Sequence, residues 1–242
     1  MMKIGLIPAR CINNDISFNL SQIIRFLEMA SKENVDYIFF GESFLQGFDS
    51  LSWSYDIDKD IAVKRNSIII RKIKHLSKKY GVGLGFGYFE LAQSSIYSSY
   101  LVVSPEGKEL INYRRVSKGW KEYRKTDKRY KEGNSVKHFR IDSFDFTLAL
   151  CGDLWDEETV SLFAKNQVFQ TNIIWPVHVD FSLQAWSNEI KHYHKQALKF
   201  SRQVLLINNI LEPHTHGGAF IFTESDYRSI AFDKEEILVT SM

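Results

Sequence analysis

One side chain in the sequence has both the type and the setting for nucleophilic chemistry. Cys151 closes the apolar run Leu148-Ala149-Leu150 and is followed by Gly152-Asp153-Leu154-Trp155-Asp156. A thiol at the carboxyl end of a strand faces the edge where α/β sheets gather ligands. A helix starting a few residues later favours the thiolate, the reactive form. Gly152 lets the backbone amide beside the thiol approach a substrate oxygen and donate to a developing oxyanion. The acids Asp153, Asp156, Glu157 and Glu158 oppose the thiolate unless some are engaged at the helix start. On this stretch alone, Cys151 reads equally well as a buried small hydrophobe. Cys11 has no comparable setting and is expected to be inert. Histidines raise a metal reading: His192-x-His194, His214-x-His216 and His178. A His-x-His pair suits a strand, but His192 and His194 fall in an expected helix, about 200° apart. His214 and His216 follow Pro213 in an expected loop and make only a weak site, so no metal is expected.

Such a thiol needs a scaffold, and apolar segments alternate between strand-like and helix-like periods, the mark of an α/β fold. Residues 1–8 read as a first strand. Asn13, Asn14 and Asp15 offer a cap, after which Ile16, Leu20, Ile23, Ile24 and Leu27 keep helical spacing. A buried strand is expected at 35–40, and one helix at 61–79 with Gly81 as its stop. Val82, Leu84, Phe86 and Tyr88 alternate with Gly83, Gly85 and Gly87, predicting a strand closely approached by another backbone. Strands at 96–103 and 109–116 flank the turn Ser104-Pro105-Glu106-Gly107. A long basic loop is expected next, then a strand at 144–151, a helix at 156–166 and a strand at 172–175. A helix at 186–200, a strand at 204–208 and short strands from Gly218 onward complete the reading. Neither a repeat nor a linker interrupts it, so a single domain over 1–242 is expected.

The bulk composition narrows the class. With 242 residues, 44% hydrophobic and 25% charged, the chain can bury a substantial core. No run approaches the ~18 apolar residues of a membrane span. The apolar part of the N-terminus is too short for a signal peptide. Two cysteines make no disulfide framework, so a reducing cytoplasm is the expected setting. A net charge of +2 gives no argument for nucleic acid. Between Arg114 and Glu132 nine Lys/Arg face three Asp/Glu, with Trp120, Tyr123 and Tyr130 interleaved. A solvated loop is the expectation there, and a phosphate-binding patch the alternative.

In order and spacing, these segments resemble the nitrilase, or carbon–nitrogen hydrolase, superfamily. Cys151-Gly152-Asp153 matches the family's Cys-x-Asp after an apolar strand. Gly41-Glu42-Ser43-Phe44 resembles its Pro-Glu segment, with Gly41 in the proline position. Tyr113-Arg114-Arg115-Val116 is similar to its Tyr-Arg-Lys strand end, and Glu122 falls where many members carry a second glutamate. Asn172–Pro176, His194–Leu198, Val204–Asn209 and, more loosely, Gly217–Phe222 resemble later segments, so the likeness covers nearly the whole chain.

The resemblance implies a four-layer α-β-β-α sandwich whose copies pair into a homo-oligomer, as in a homodimer. It implies a hydrolase of non-peptide carbon–nitrogen bonds, of amide or N-carbamoyl type. Cys151 would be the nucleophile and Glu42 the base, with a cation steadying the oxyanion and Glu122 supporting them. The family's lysine position holds Arg115, and three accounts stay open. Arg115 serves directly; Lys118 or Lys121 swings in from the loop; or the site is impaired and the protein is a binding or scaffold module working through its basic loop. Tyr113, Trp120, Trp175, Phe44 and His178 are expected to line the substrate pocket. An arginine-rich mouth favours an acidic small molecule. Neither a cofactor, nor nucleic acid, nor a membrane is expected as a partner.

Overall fold

The structure, a computed structural model, describes residues 1–166 and 168–242. Short β-branched and aromatic segments supply its strands. They are β1 (Lys3–Leu6), β2 (Tyr37–Phe39), β3 (Gly83–Ala92), β4 (Ser95–Val103), β5 (Glu109–Arg114), β6 (His138–Ile141) and β7 (Phe144–Leu148). After them come β8 (Asn172–Val177), β9 (Gln203–Asn208), a small ribbon of β10 (Ile210–Leu211) and β11 (Thr215–His216), then β12 (Ala219–Thr223), β13 (Tyr227–Ser229) and β14 (Leu238–Ser241). Two six-stranded sheets result, ordered β14-β1-β2-β3-β4-β5 and β13-β12-β9-β8-β7-β6. Each is parallel at its centre, through β1-β2-β3 and β7-β8-β9, and antiparallel at its flanks.

The sheets pack face to face. Ile4, Leu6, Phe39, Tyr100 and Tyr113 from the first meet Phe146, Leu148, Ile174, Leu205 and Ile207 from the second in one buried cluster. Helices α1 (Ile16–Lys32) and α3 (Ile68–Tyr80) cover the outer face of the first sheet, with Ile23, Phe26, Ile70 and Ile73 against Ile38, Leu84 and Phe86. Helices α4 (Glu157–Lys165) and α5 (Leu183–Ala197) cover the second, with Phe163, Trp186 and Tyr193 against Ile173, Trp175 and Leu206. The architecture is therefore the four-layer α-β-β-α sandwich. Among the described residues no helix is long and apolar enough to cross a membrane.

Local chemistry sets the ends of the helices. Asp15 caps α1 by accepting from the Phe18 amide at 2.8 Å. Gly81, left-handed at φ +66°, stops α3. The helix expected at 61–79 begins only at Ile68, and a further short helix not expected from the sequence precedes it. This helix, α2 (Tyr55–Ile61), ends where Val63 leaves to pair with β3, donating to the Phe89 carbonyl at 2.9 Å and accepting from the Leu91 amide at 3.1 Å. β6 lies in a stretch expected to be loop, because Phe139 and Ile141 point inward while His138 and Arg140 stay exposed. β5 and β7 end earlier than expected, and Cys151 opens a 3₁₀ turn, Cys151–Leu154, rather than closing the strand. α5 starts at Leu183 because Ser182 caps it, accepting from Ala185 at 3.2 Å, and it stops short of Phe200. Along β3 the close backbone approach occurs at Gly87, where a Cβ would strike the Ser43 amide and Glu42 Cα. Gly83 and Gly85 instead make room for the rings of Tyr37 and Phe39.

Candidate active site

Four chain segments meet just beyond the carboxyl ends of β2, β5, β7 and β8. Glu42 follows β2, and its backbone is gripped on both sides. The Gly41 amide donates to Asn209 Oδ1 at 2.8 Å, Asn209 Nδ2 donates to the Glu42 carbonyl at 2.8 Å, and the Glu42 amide reaches the Val177 carbonyl at 3.4 Å across the sheets. A Cβ on residue 41 would sit 2.6 Å from Asn209 Oδ1, and a proline there would also lack the N–H that Asn209 receives. The Glu42 carboxylate is fully buried. Its Oε1 accepts from Ser98 Oγ at 2.8 Å, and Arg115 Nη1 donates to Oε1 at 3.1 Å and Oε2 at 3.3 Å.

Arg115 lies one residue past β5 and is 4% exposed, so a full charge is held inside the protein. Its amide donates to the Ser98 carbonyl at 2.9 Å and its Nε to Ser117 Oγ at 2.9 Å. Burial opposes the charge, but Glu42, Cys151 and Asp153 outweigh it and hold the guanidinium above its ordinary pKa. The Nη2 end lies over Gly152, where a Cβ would come within 2.6 Å of it. Gly152 therefore leaves space for the cation beside the thiol.

Cys151 adopts φ +38°, a left-handed conformation that a side-chain-bearing residue rarely takes. Trp175 Nε1 donates to its carbonyl at 2.9 Å, and the thiol donates to the His178 carbonyl at 3.5 Å. Burial pushes the thiol up to about 11; Arg115 pulls it down, while Glu42 and Asp153 push it further up. At neutral pH the sulfur is thus protonated, with a buried carboxylate and a buried guanidinium acting on it. The imidazole of His178 stacks on Phe48 with centroids 4.0 Å apart, and burial lowers its pKa. A cavity of about 830 Å³ lined by Arg65, Lys74, Glu90 and Glu109 includes none of these groups.

The carbon-nitrogen hydrolase family model matches residues 3–205. The chain belongs to the carbon–nitrogen hydrolase family. A cyanide hydratase of Penicillium rubens is 25% identical over 110 residues, 42% of this chain and 30% of that protein. An arylacetonitrilase of Hypocrea virens is 19% identical over 123 residues, 48% of this chain and 37% of that protein. The matched part thus spans about a third of these curated relatives. An amidase from Nesterenkonia sp. has the same fold, with TM-score 0.82 at 14% identity over 100% of this chain and 90% of that one. One form of that amidase shows covalent addition of the acetamide moiety of fluoroacetamide at its active-site cysteine.

Of the residues singled out in the sequence, the carbon–nitrogen hydrolase fold gathers Glu42, Arg115, Cys151 and His178 at one place. The two lysines are engaged elsewhere. Lys121 pairs with Glu132 at 2.8 Å and the Tyr130 carbonyl at 2.5 Å, and Lys118 faces Glu158 at 3.6 Å on the surface. Glu122 is exposed, and among the described residues only its backbone carbonyl is engaged, by Lys125 and Thr126. Tyr113 and Trp175 are wholly buried behind the site, where they hold Asp153 and the Cys151 carbonyl. Trp120 packs with Trp53, Phe89 and Tyr130, and Phe44 stacks on Phe40. His192 faces Glu189, His194 the Thr223 carbonyl and His216 Asp233. Among the described residues no three His, Cys, Asp or Glu side chains are grouped to hold a metal ion. Ser98, Ser117 and Asn209 went unmarked because an isolated small polar residue has no spacing to betray it.

Proposed function

We propose that the chain, as one domain over 1–242, hydrolyses a non-peptide carbon–nitrogen bond of amide or N-carbamoyl type through a thioester on Cys151. The observation that carries this reading is the Arg115 guanidinium, which bonds Glu42 through Nη1 and lies by Nη2 over the glycine next to the thiol. Sγ attacks the carbonyl carbon while Glu42 takes the thiol proton. The substrate oxygen becomes an oxyanion held by Arg115 Nη2 and the Gly152 amide. That amide takes part in none of the turn's backbone hydrogen bonds among the described residues. The carbon–nitrogen bond then breaks, the amine leaves with the proton from Glu42, and a thioester remains. Water, giving its proton to Glu42, attacks the thioester; the acid leaves and the proton returns to sulfur. Arginine keeps its proton at all working pH values, so it stabilises charge and leaves all proton traffic to Glu42. The covalent acetamide adduct in the Nesterenkonia amidase supports cysteine chemistry in this fold. A small amide is the proposed substrate, a homo-oligomer in the cytoplasm the proposed form.

The test is mass spectrometry of the protein mixed with a panel of small amides and N-carbamoyl compounds. An acyl adduct should form on Cys151, and Cys151→Ala should lose it. Glu42→Gln should slow turnover by roughly 10²–10⁴-fold, the usual worth of a general acid–base group. Turnover that persists in Cys151→Ala would overturn the mechanism. Arg115 bonding to both Glu42 oxygens favours a second reading, a site locked by its own ion pair in a protein that binds partners through 114–131. Silence across the panel in the wild type and in Arg115→Lys, Lys118→Ala and Lys121→Ala would support that one.

A further inference from the structure

We propose that Asp153 is the positioning residue that fixes the cation beside the thiol, clamping the second sheet's nucleophile turn to the strand end of the first sheet. Its carboxylate is fully buried and accepts four hydrogen bonds. Oδ2 takes the Leu150 amide at 2.8 Å, from its own turn, and the Tyr113 hydroxyl at 2.6 Å, from β5. Oδ1 takes the amides of Val116 at 3.1 Å and Ser117 at 2.7 Å, both just past β5. Three of the four donors therefore come from the opposite sheet, and they bracket Arg115 in the chain.

Each link between Asp153 and the guanidinium is a defined contact. The Ser98 carbonyl holds the Arg115 amide on one side, and Asp153 holds Val116 and Ser117 on the other. Ser117 so fixed presents Oγ to Arg115 Nε, which turns the planar guanidinium with Nη1 toward Glu42 and Nη2 over Gly152. No cation lies within ion-pair distance of Asp153 among the described residues, so hydrogen-bond donors hold its charge. An amide in its place offers one acceptor oxygen instead of two, and its NH₂ would face N–H groups that need an acceptor. Asparagine at 153 thus releases one of the two clamped segments.

A simple electrostatic role for Asp153 predicts the opposite sign of effect. A negative charge beside the sulfur disfavours the thiolate and repels anions, so removing it should help an anionic reagent. If Asp153 positions Arg115, removing it should hurt that reagent, because the guanidinium no longer sits beside the sulfur.

The experiment measures Cys151 alkylation by iodoacetate and by iodoacetamide, localised by peptide mass spectrometry, and takes the ratio of the two rates. Arg115→Gln sets the ratio without the cation, expected to be roughly tenfold below wild type. Asp153→Asn should fall most of the way to that value, and Ser117→Ala part of the way. Ser117→Ala keeps the clamp and loses only the last link, so an unchanged ratio there overturns the proposal even where Asp153→Asn fails to fold. A ratio that holds or rises in Asp153→Asn, or stays at wild type in Ser117→Ala, overturns the proposal. The inference rests on Arg115 being the cation of the proposed site. Alkylation needs no substrate, however, so its outcome is separate from whether any amide is turned over.

Discussion

Cys151 and Cys11 both hold their protons more tightly in the fold than in the open chain. Burial pushes Cys151 to about 11 and Cys11 to about 12, against roughly 8.5 for a free thiol. Iodoacetamide labelling of Cys151 should therefore keep rising about tenfold per pH unit toward pH 11 instead of levelling near 8.5. Arg115→Gln should move that profile higher, since Arg115 is the group that lowers the thiol. The consequence for stability follows the protons. Above about pH 8.5 the unfolded chain releases them while the folded chain keeps them, so folding weakens as pH rises toward 11 and 12. Urea midpoints between pH 8 and 10 should fall in the wild type and fall less in a Cys11→Ala, Cys151→Ala double variant. At this scale Cys151 stood out by its place after an apolar strand, where it read equally well as a buried hydrophobe, and Glu42 was singled out only through the family resemblance. Their partners were not legible: nothing in the chain tells Ser98 or Asn209 from any other serine or asparagine until the fold puts a carboxylate or a carbonyl against it.

Elements place these groups through backbone contacts that tolerate little change. At Gly87 the obstructing atoms are the Ser43 amide and Glu42 Cα, backbone that cannot swing aside. Gly87→Ala should destabilise by about 1–3 kcal/mol in urea unfolding and displace Glu42, lowering turnover more than stability alone explains. Asn209→Ala leaves the Gly41 amide and the Glu42 carbonyl buried without partners. Its cost should be about 1–3 kcal/mol for each group, read in the same assay. Elements with strong periodicity, such as α1 and the β4–β5 hairpin, stand where the sequence puts them, apart from the early end of β5. The errors have physical reasons. The helix expected from Ile61 starts only at Ile68 because Val63, which would suit a helix face as well, bridges to β3. Four residues, His138–Ile141, are too few for alternation to show amid so many charges.

On the scale of the whole molecule, the site belongs to neither sheet. Glu42 and Arg115 come from the first, Cys151 and His178 from the second, and Asp153 and Asn209 tie the two together. The first sheet is also finished last. β1 pairs on one side with β14, Lys3 opposite Ser241 and Leu6 opposite Leu238, some 230 residues away along the chain. Until β14 pairs with it, β1 has one ladder of N–H and C=O groups unsatisfied. A nascent or clipped chain offers that bare rim to any copy of itself. Deleting 238–242 should leave the Glu42, Arg115 and Cys151 site nearly intact yet yield sedimenting aggregates at concentrations where the full chain stays dispersed.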